Sequence, residues 1–377
     1  MIDVVSHEAI VTQIQHEPTL NKWTLQKLVQ PMSAVSVKNT VIYVNRDLNT
    51  PSLKFDVGKP VDLACQVAMG ERKNKPDRII WVRPGHERSA IITANAQITD
   101  GDSTTYNYLD EKGIGNLEYI ERTRKNQYHG YMKPVKSYPD RGYQDKTWGA
   151  ATKTWIEKDL EMGNKLKKLN VRIVPLVAVA KIEEVVDPNG KIITIDEAKN
   201  SGYMAKETEP VVIFRAWITP YRLADVAYNP EIEIDYSEKD LERRRDILRS
   251  ALQDMKNDTS IPADVRSSIL DIKSYLSWLA GSIGGDLGKM HAHKMTHGSL
   301  RALHNITLDG RFVDLDSMVE NSDQEKIDDE RNVLFNKTEP FFKDFLSGVQ
   351  KLFGLQVDPN ELLKIAETAY SRSFPAN

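Results

Sequence analysis

The spacing of apolar residues along this chain changes character twice. Short β-branched runs bounded by turn residues at 41–44, 79–82 and 90–93 predict strands. The polar, glycine-containing stretch 100–115 predicts loop and hairpin. Between 147 and 169, Trp148, Ala151, Trp155, Leu160, Leu166 and Leu169 recur at roughly helical spacing with charges between them, which predicts one long helix. Residues 171–182 and 210–218 return to apolar strands, the first followed by a turn at Asp187-Pro188-Asn189-Gly190. An acidic linker at 231–240 then leads into predicted helices at 241–255, 262–281 and 286–293, and, beyond an aperiodic region at 297–316, at 323–353 and 359–370. No internal repeat or low-complexity tract interrupts this order. Strands with one long helix, then a linker, then a helical half predict an α+β fold of two lobes around a cleft.

Composition changes this picture little. A length of 377 residues suits two or three domains or one two-lobed enzyme, and 40% apolar with 28% charged residues is the balance of a soluble globular protein. The formal net charge of −3 gives no whole-chain reason to expect nucleic acid or an anionic membrane as partner. Cys65 is the sole cysteine, so neither an intrachain disulfide nor a cysteine metal cluster can form. The first residues include Asp3, His7, Glu8 and His16 and no apolar core, unlike a secretory signal, and no stretch approaches the roughly 18 apolar residues of a membrane span. The expected setting is the cytoplasm.

Candidate chemistry concentrates between His297 and Asp316, which reads His-Gly-Ser-Leu-Arg-Ala-Leu-His-Asn-Ile-Thr-Leu-Asp-Gly-Arg-Phe-Val-Asp-Leu-Asp. Asp309-Gly310 is a hairpin turn signal, with Ile306, Leu308, Phe312 and Val313 as the apolar sides. An Asn amide oxygen and a carboxylate brought together by such a hairpin can chelate a hard cation that also carries phosphate oxygens. Asn305 and Asp314, nine residues apart, are the expected pair, with Asp316 in reserve. The plainer reading is a buried hairpin whose polar residues cap turns. A nucleotide site of this kind also needs a strand lysine to neutralise phosphate and a helix carboxylate to hold it. Lys133 and Glu157 are the choice, with Lys136, Asp159 and Glu161 as competitors, since an amphipathic helix always offers carboxylates. Arg215 and Arg222 bracket Ala-Trp-Ile-Thr-Pro-Tyr. A guanidinium in an apolar strand is costly unless it meets an anion, and two arginines could grip a phosphate; the alternative is an edge-strand arginine and a surface arginine. His291, His293, His297 and His304 could suggest zinc, but no Glu follows His293 as in a zincin motif, and His297 fits better as the loop histidine.

Over about 115–320 these residues resemble the selenoprotein-O family, kinase-like enzymes that bind ATP in a flipped orientation and transfer AMP to protein hydroxyls. Lys133-Pro-Val-Lys-Ser-Tyr-Pro-Asp-Arg141 stands where that family has a lysine-led segment, Asp145-Lys146 lies near its Asp-Gly-Arg, and Glu157 falls within a residue of its helix glutamate. Arg215 and Arg222 share the seven-residue separation of its paired arginines, and Asn305 and Asp314 reproduce its interval from Asn to metal-binding Asp. The resemblance implies a protein-kinase-like fold with 1–110 as a β-rich extension, 111–228 as the nucleotide-binding core of the N-lobe and 229–377 as a helical C-lobe. It implies ATP and Mg2+ as ligands and a protein or peptide substrate. Lys133 and Glu157 then position phosphate, Arg215 and Arg222 hold the terminal phosphate, and Asn305 and Asp314 hold magnesium. The chain departs from the family at its base, an Asp replaced by His304, and in lacking the glycines after the lysine and the carboxy-terminal cysteines. The same loop is similar to that of aminoglycoside and choline phosphotransferases, whose catalytic Asp is Ser299 here. A serine is a poor base at neutral pH, whereas His304 can take a proton. A phosphotransferase or another ATP-using ligase on the same fold, and a pseudokinase acting through protein contacts, are the rival expectations.

Overall fold

The computed structural model describes residues 30–51, 53–67, 77–82, 89–92, 98–115, 149–187, 190–227, 238–256, 258–300, 303–335 and 341–374. In chain order its strands are β1 (Gln30–Ser36), β2 (Asn39–Val44), β3 (Cys65–Val67), β4 (Arg78–Val82), β5 (Ser89–Ile92), β6 (Ile98–Thr99), β7 (Thr105–Tyr106), β8 (Tyr108–Lys112), β9 (Ala151–Thr152), β10 (Leu176–Ile182), β11 (Glu184–Val186), β12 (Ile192–Thr194) and β13 (Pro210–Trp217). Its helices are α1 (Lys153–Lys168), α2 (Ile195–Asn200), α3 (Glu238–Met255), α4 (Ala263–Ser268), α5 (Ile272–Ala292), α6 (Gln324–Phe335), α7 (Phe341–Phe353) and α8 (Pro359–Ser373). The chain is mixed α+β. None of the helices among the described residues is long and apolar enough to cross a membrane.

Two compact units account for this order. One holds the described residues of Met1–Gly101, Tyr106–Ile156 and Leu176–Trp217, the other those of Asp102–Thr105, Glu157–Pro175 and Ile218–Asn377. The expected boundary at 110/111 therefore falls inside β8, and the second unit takes up the chain directly after β13.

The first unit is a nine-stranded antiparallel sheet in the order β2-β10-β13-β8-β5-β4-β1-β3, with β9 also paired to β13. All eight residues of the central strand β13 are buried, as its apolar run, interrupted by Arg215 alone, requires of a strand covered on both faces. Where the sequence predicts loop and hairpin at 100–115, β6 and β7 do pair across residues 100–104, but β8 follows as a strand between β13 and β5, with Tyr108 through Glu111 buried. Two adjacent acids, Asp110 and Glu111, hid this strand from a reading based on apolar runs. Neighbouring residues of a strand face opposite sides, so each carboxyl needs its own partner. Asp110 sits opposite Arg215 in the β13–β8 register, and Glu111 meets Cys65. Ala34, Cys65, Val67, Ile80, Ala90 and Ile114 form one apolar cluster, all but Ile114 on strands of this sheet.

In the second unit the predicted helices 262–281 and 286–293 are replaced by the short α4 and a single continuous α5 of 21 residues. Asp271 caps α5 by accepting the Ser274 backbone N–H. Gly284-Gly285 does not break the helix, because glycine is used here for approach. A Cβ on Gly284 would lie 2.1 Å from the Ala366 carbonyl oxygen, and one on Gly288 2.6 Å from that of Tyr370, so the two bare positions let the backbone of α8 settle directly onto α5. Tyr275, Leu276, Leu279, Ile283, Leu287 and Met290 of α5 are buried, as are Leu362, Leu363, Ala366 and Tyr370 of α8. The strand expected over 171–182 starts only at Leu176. The preceding residues turn to the 306–312 hairpin instead: Ile173 bridges Phe312, and Phe312 donates its backbone N–H to the Arg172 carbonyl at 3.1 Å.

Candidate functional site

The loop that the sequence singles out begins as a set of bonds to one buried carboxylate. Glu330 of α6 accepts the backbone N–H of His297 at 2.9 Å and that of Gly298 at 2.8 Å, and its Oε2 lies 3.0 Å from Nε2 of His291. His291 in turn contacts the Tyr370 hydroxyl through Nδ1 at 2.9 Å. Burial pushes the Tyr370 phenol up to about 12, so it keeps its proton. In the neutral ring the phenol donates to Nδ1, and the Nε2 proton faces Glu330. Gly298 has φ +79°, and a Cβ there would lie 2.6 Å from the Ser317 carbonyl oxygen, so the turn after His297 is closed to any other residue.

His297 is fully buried and ties the start of the loop to its end. Its Nε2 lies 2.9 Å from the Val313 carbonyl oxygen, an acceptor, so Nε2 carries the proton. Ser317 Oγ donates to the His297 carbonyl at 2.8 Å. Between these ties the chain forms the expected hairpin. Ile306 bridges Phe312 antiparallel, Val313 N–H bonds the Asn305 carbonyl at 3.1 Å, and Gly310, at φ +74°, takes the turn position that the Asp-Gly pair signals. Arg311, itself buried, anchors the hairpin tip to Asp258 Oδ2 at 3.0 Å, to Ser260 Oγ at 2.8 Å and to Asp309. Burial alone would raise Asp258, but the Arg311 charge and the Ser260 bonds hold its carboxyl below the usual range.

The hairpin sets Val313 opposite Asn305, with Asp314 the next residue along the chain. The turn Leu303–Asn305 buries Leu303 and Asn305 and leaves His304 exposed. Asn305 Nδ2 donates to the Ser299 carbonyl at 2.8 Å, which fixes the amide orientation. Its Oδ1 is buried with no partner among the described residues. An amide oxygen in that condition costs about 1–3 kcal/mol unless a ligand or water satisfies it. Asp314 is in the left-handed conformation, φ 56° and ψ 53°. A non-glycine residue held there is an uncommon backbone state found where surrounding structure fixes a side-chain direction. Arg222 sits against this pair: one guanidinium nitrogen, Nη1, donates to the His304 carbonyl and, at 3.3 Å, to Asp314 Oδ2. The segment carrying Arg222 is paired with the hairpin, Arg222 bridging Thr307 and Leu223 N–H bonding the Ile306 carbonyl at 2.9 Å. Asp316 is half-buried in the turn Leu315–Ser317.

Of the other expected residues, Arg215 lies in the first unit, where it makes a bidentate bond to Asp110, Nε to Oδ1 at 3.0 Å and Nη2 to Oδ2 at 2.8 Å. Its guanidinium also lies 5.1 Å over the Trp217 ring. The anion that a buried strand arginine needs is thus supplied by the neighbouring strand. Glu157 is exposed on α1, and its competitor Glu161 pairs with Lys165 at 2.7 Å. Lys133 and Lys136 lie outside the described residues. The four histidines do not converge: His293 Nδ1 bonds the Lys289 carbonyl, and among the described residues no three His, Cys, Asp or Glu side chains form a metal-holding group.

Sequence reasoning missed Glu330, the residue that seats the loop. The available signal was its place with Ile327, Val333 and Leu334 on the buried face of α6, where a carboxylate needs donors. It missed Glu111 as well. That carboxyl accepts Cys65 N–H at 2.9 Å and the thiol at 3.3 Å, and burial pushes it up to about 8. Burial, then the adjacent Glu111, pushes the Cys65 thiol up, so it stays protonated. No protein-family model matches the chain, and no curated protein matches it at a significant level of sequence similarity.

Proposed function

We propose that this chain is a kinase-like protein of two lobes, similar to the selenoprotein-O family, that binds ATP with magnesium at the 297–316 loop and transfers AMP to a hydroxyl of a protein or peptide. One observation carries the reading: Asn305 is buried with a partnerless Oδ1, and its backbone carbonyl takes the Val313 amide, one residue before the left-handed Asp314. An amide oxygen and a carboxylate are the donor types a hard cation takes, and magnesium is commonly bound by one or two protein oxygens, with waters and phosphate completing its shell. The residues present therefore fit the ion, and Asp316, two residues on, is the reserve ligand. When bound, magnesium neutralises phosphate oxygens as charge develops on them. In the transfer the acceptor oxygen bonds the α-phosphorus, pyrophosphate leaves, and the hydroxyl proton passes to a base. His304, next to Asn305 and exposed, is the assigned base, and an imidazole titrates in the range that task needs. Lys133, Glu157, Arg215 and Arg222 are assigned to the phosphates on the resemblance. For Arg215 the Asp110 contact would first have to give way.

A second reading, binding without transfer, is favoured by the Arg222–Asp314 contact, which already neutralises the metal carboxylate, and by Ser299 in place of a loop aspartate. The test is incubation of the full chain and candidate acceptors with ATP labelled at the α or the γ position. Protein-bound α label is expected, and Asp314→Ala is expected to cut it to roughly a hundredth or less, the scale on which losing one preorganised charge partner acts. Label from the γ position alone identifies a phosphotransferase, and no label from either identifies the binding protein.

A further inference from the structure

We infer that Arg222 is a counter-ion gate, occupying Asp314 in the ligand-free protein and weakening its hold on a free divalent cation; this rests on the reading of Asn305 and Asp314 as cation ligands. The contact is not a chance meeting of surface side chains. Arg222 is 4% exposed, its backbone N–H donates to Asp225 Oδ2 at 2.8 Å, and it bridges Thr307 of the hairpin itself. The side chain therefore starts from a fixed point on the strand-like segment that flanks Asn305 and Asp314. A single nitrogen, Nη1, then joins the His304 carbonyl to the Asp314 carboxylate, so the guanidinium spans both ends of the hairpin that carries the two ligands. The Arg222 side chain is 5% exposed and that of Asp314 21%, so a cation can approach the carboxylate from water while the guanidinium cannot relax into water to make room.

The charges give the direction of the effect. A cation arriving at Asp314 meets a carboxylate whose charge is already shared, and a positive group a few ångströms away that never loses its proton. The oxygens of Asn305 and Asp314 then bind a bare cation less tightly than the same oxygens would without Arg222. In a partly buried setting a positive charge a few ångströms from the ion weakens its binding by on the order of tenfold or more.

Titration of the full chain with Mn2+, reading free ion by electron paramagnetic resonance, measures this without any turnover. Arg222→Gln is expected to bind Mn2+ roughly tenfold more tightly than the unaltered protein, the scale set by removing one partly buried positive charge. Asp314→Asn is expected to weaken binding in both backgrounds. If Asp314→Asn weakens binding but Arg222→Gln leaves it unchanged, the gate is refuted and the cation site stands. If Asp314→Asn changes nothing in either background, the cation reading falls, and the gate with it. Circular dichroism checks that Arg222→Gln is folded. Should it not be, Arg222→Lys is read in its place: it keeps a donor for the His304 carbonyl, but its shorter reach moves the charge off Asp314. A few-fold tightening is then expected, and equality with the unaltered protein overturns the gate.

Discussion

Glu330 shows how much can hang on one side chain. Its two oxygens take the His297 and Gly298 amides and the His291 ring, and it is 7% exposed, so no water stands ready to replace it. Glu330→Ala leaves the buried His297 amide and the partly buried Gly298 amide without acceptors and is expected to cost about 1–3 kcal/mol, the scale of one orphaned buried donor. Urea denaturation checks it, and a loss below about half a kcal/mol, the range of neutral surface changes, would rule out the anchoring role. At this scale the sequence was legible where the partners are near in the chain. Asn305 and Val313, the residue before Asp314, meet because nine residues with an Asp-Gly turn bring strand ends together, and that geometry is local. The partners of Arg222 and Arg215 were not legible, because they lie 92 and 105 residues away and only the folded chain brings them near.

Elements were legible wherever periodicity was not contradicted by a polar residue or a glycine. The core strands β10 and β13 and the helix α1 stand close to where apolar spacing put them, whereas β8 was hidden by two carboxyls whose donors come from other strands. In α5 the glycines read as a break, although they mark a contact. The consequence is measurable. At an ordinary helix position Gly→Ala stabilises by about 0.5–1 kcal/mol. Gly281→Ala, whose Cβ would meet only Ile365 Cγ2 at 3.5 Å, is expected to show that gain. Gly284→Ala would drive a methyl to 2.1 Å from the Ala366 carbonyl oxygen, and is expected to lose about 2 kcal/mol or more, as overpacking against a backbone that cannot yield does. Thermal unfolding of the two variants side by side decides it; equal shifts would contradict the close α5–α8 approach.

For the whole molecule, α+β composition followed from the order of patterns, while no linker in the sequence announces that α1 passes from one compact unit into the other after Ile156. Stability as a function of pH is also a property of the whole chain, and Glu111 gives it a sign. Folded, this carboxyl keeps its proton to about pH 8, whereas unfolded it loses it near 4.5. Between those values unfolding releases a proton, so its contribution is complete below 4.5 and drains as pH rises, gone above about 8. The slope is about 1.4 kcal/mol per pH unit for one group. Glu111→Gln, which keeps an acceptor for Cys65 without a charge to develop, is expected to remove that slope. Urea unfolding of both proteins at a series of pH values checks it, and parallel profiles would show that Glu111 does not titrate on unfolding.

The brace behind the candidate site has a consequence in time. The His297 loop is held by Glu330, Glu330 by His291, and His291 by Tyr370 on α8. Synthesis runs from the amino terminus, so the loop leaves the ribosome before the tyrosine that completes its support. Until α8 is made and seated on the bare face of Gly284 and Gly288, His291 has only half its partners, and the nascent chain carries a site whose residues are all present but not yet set.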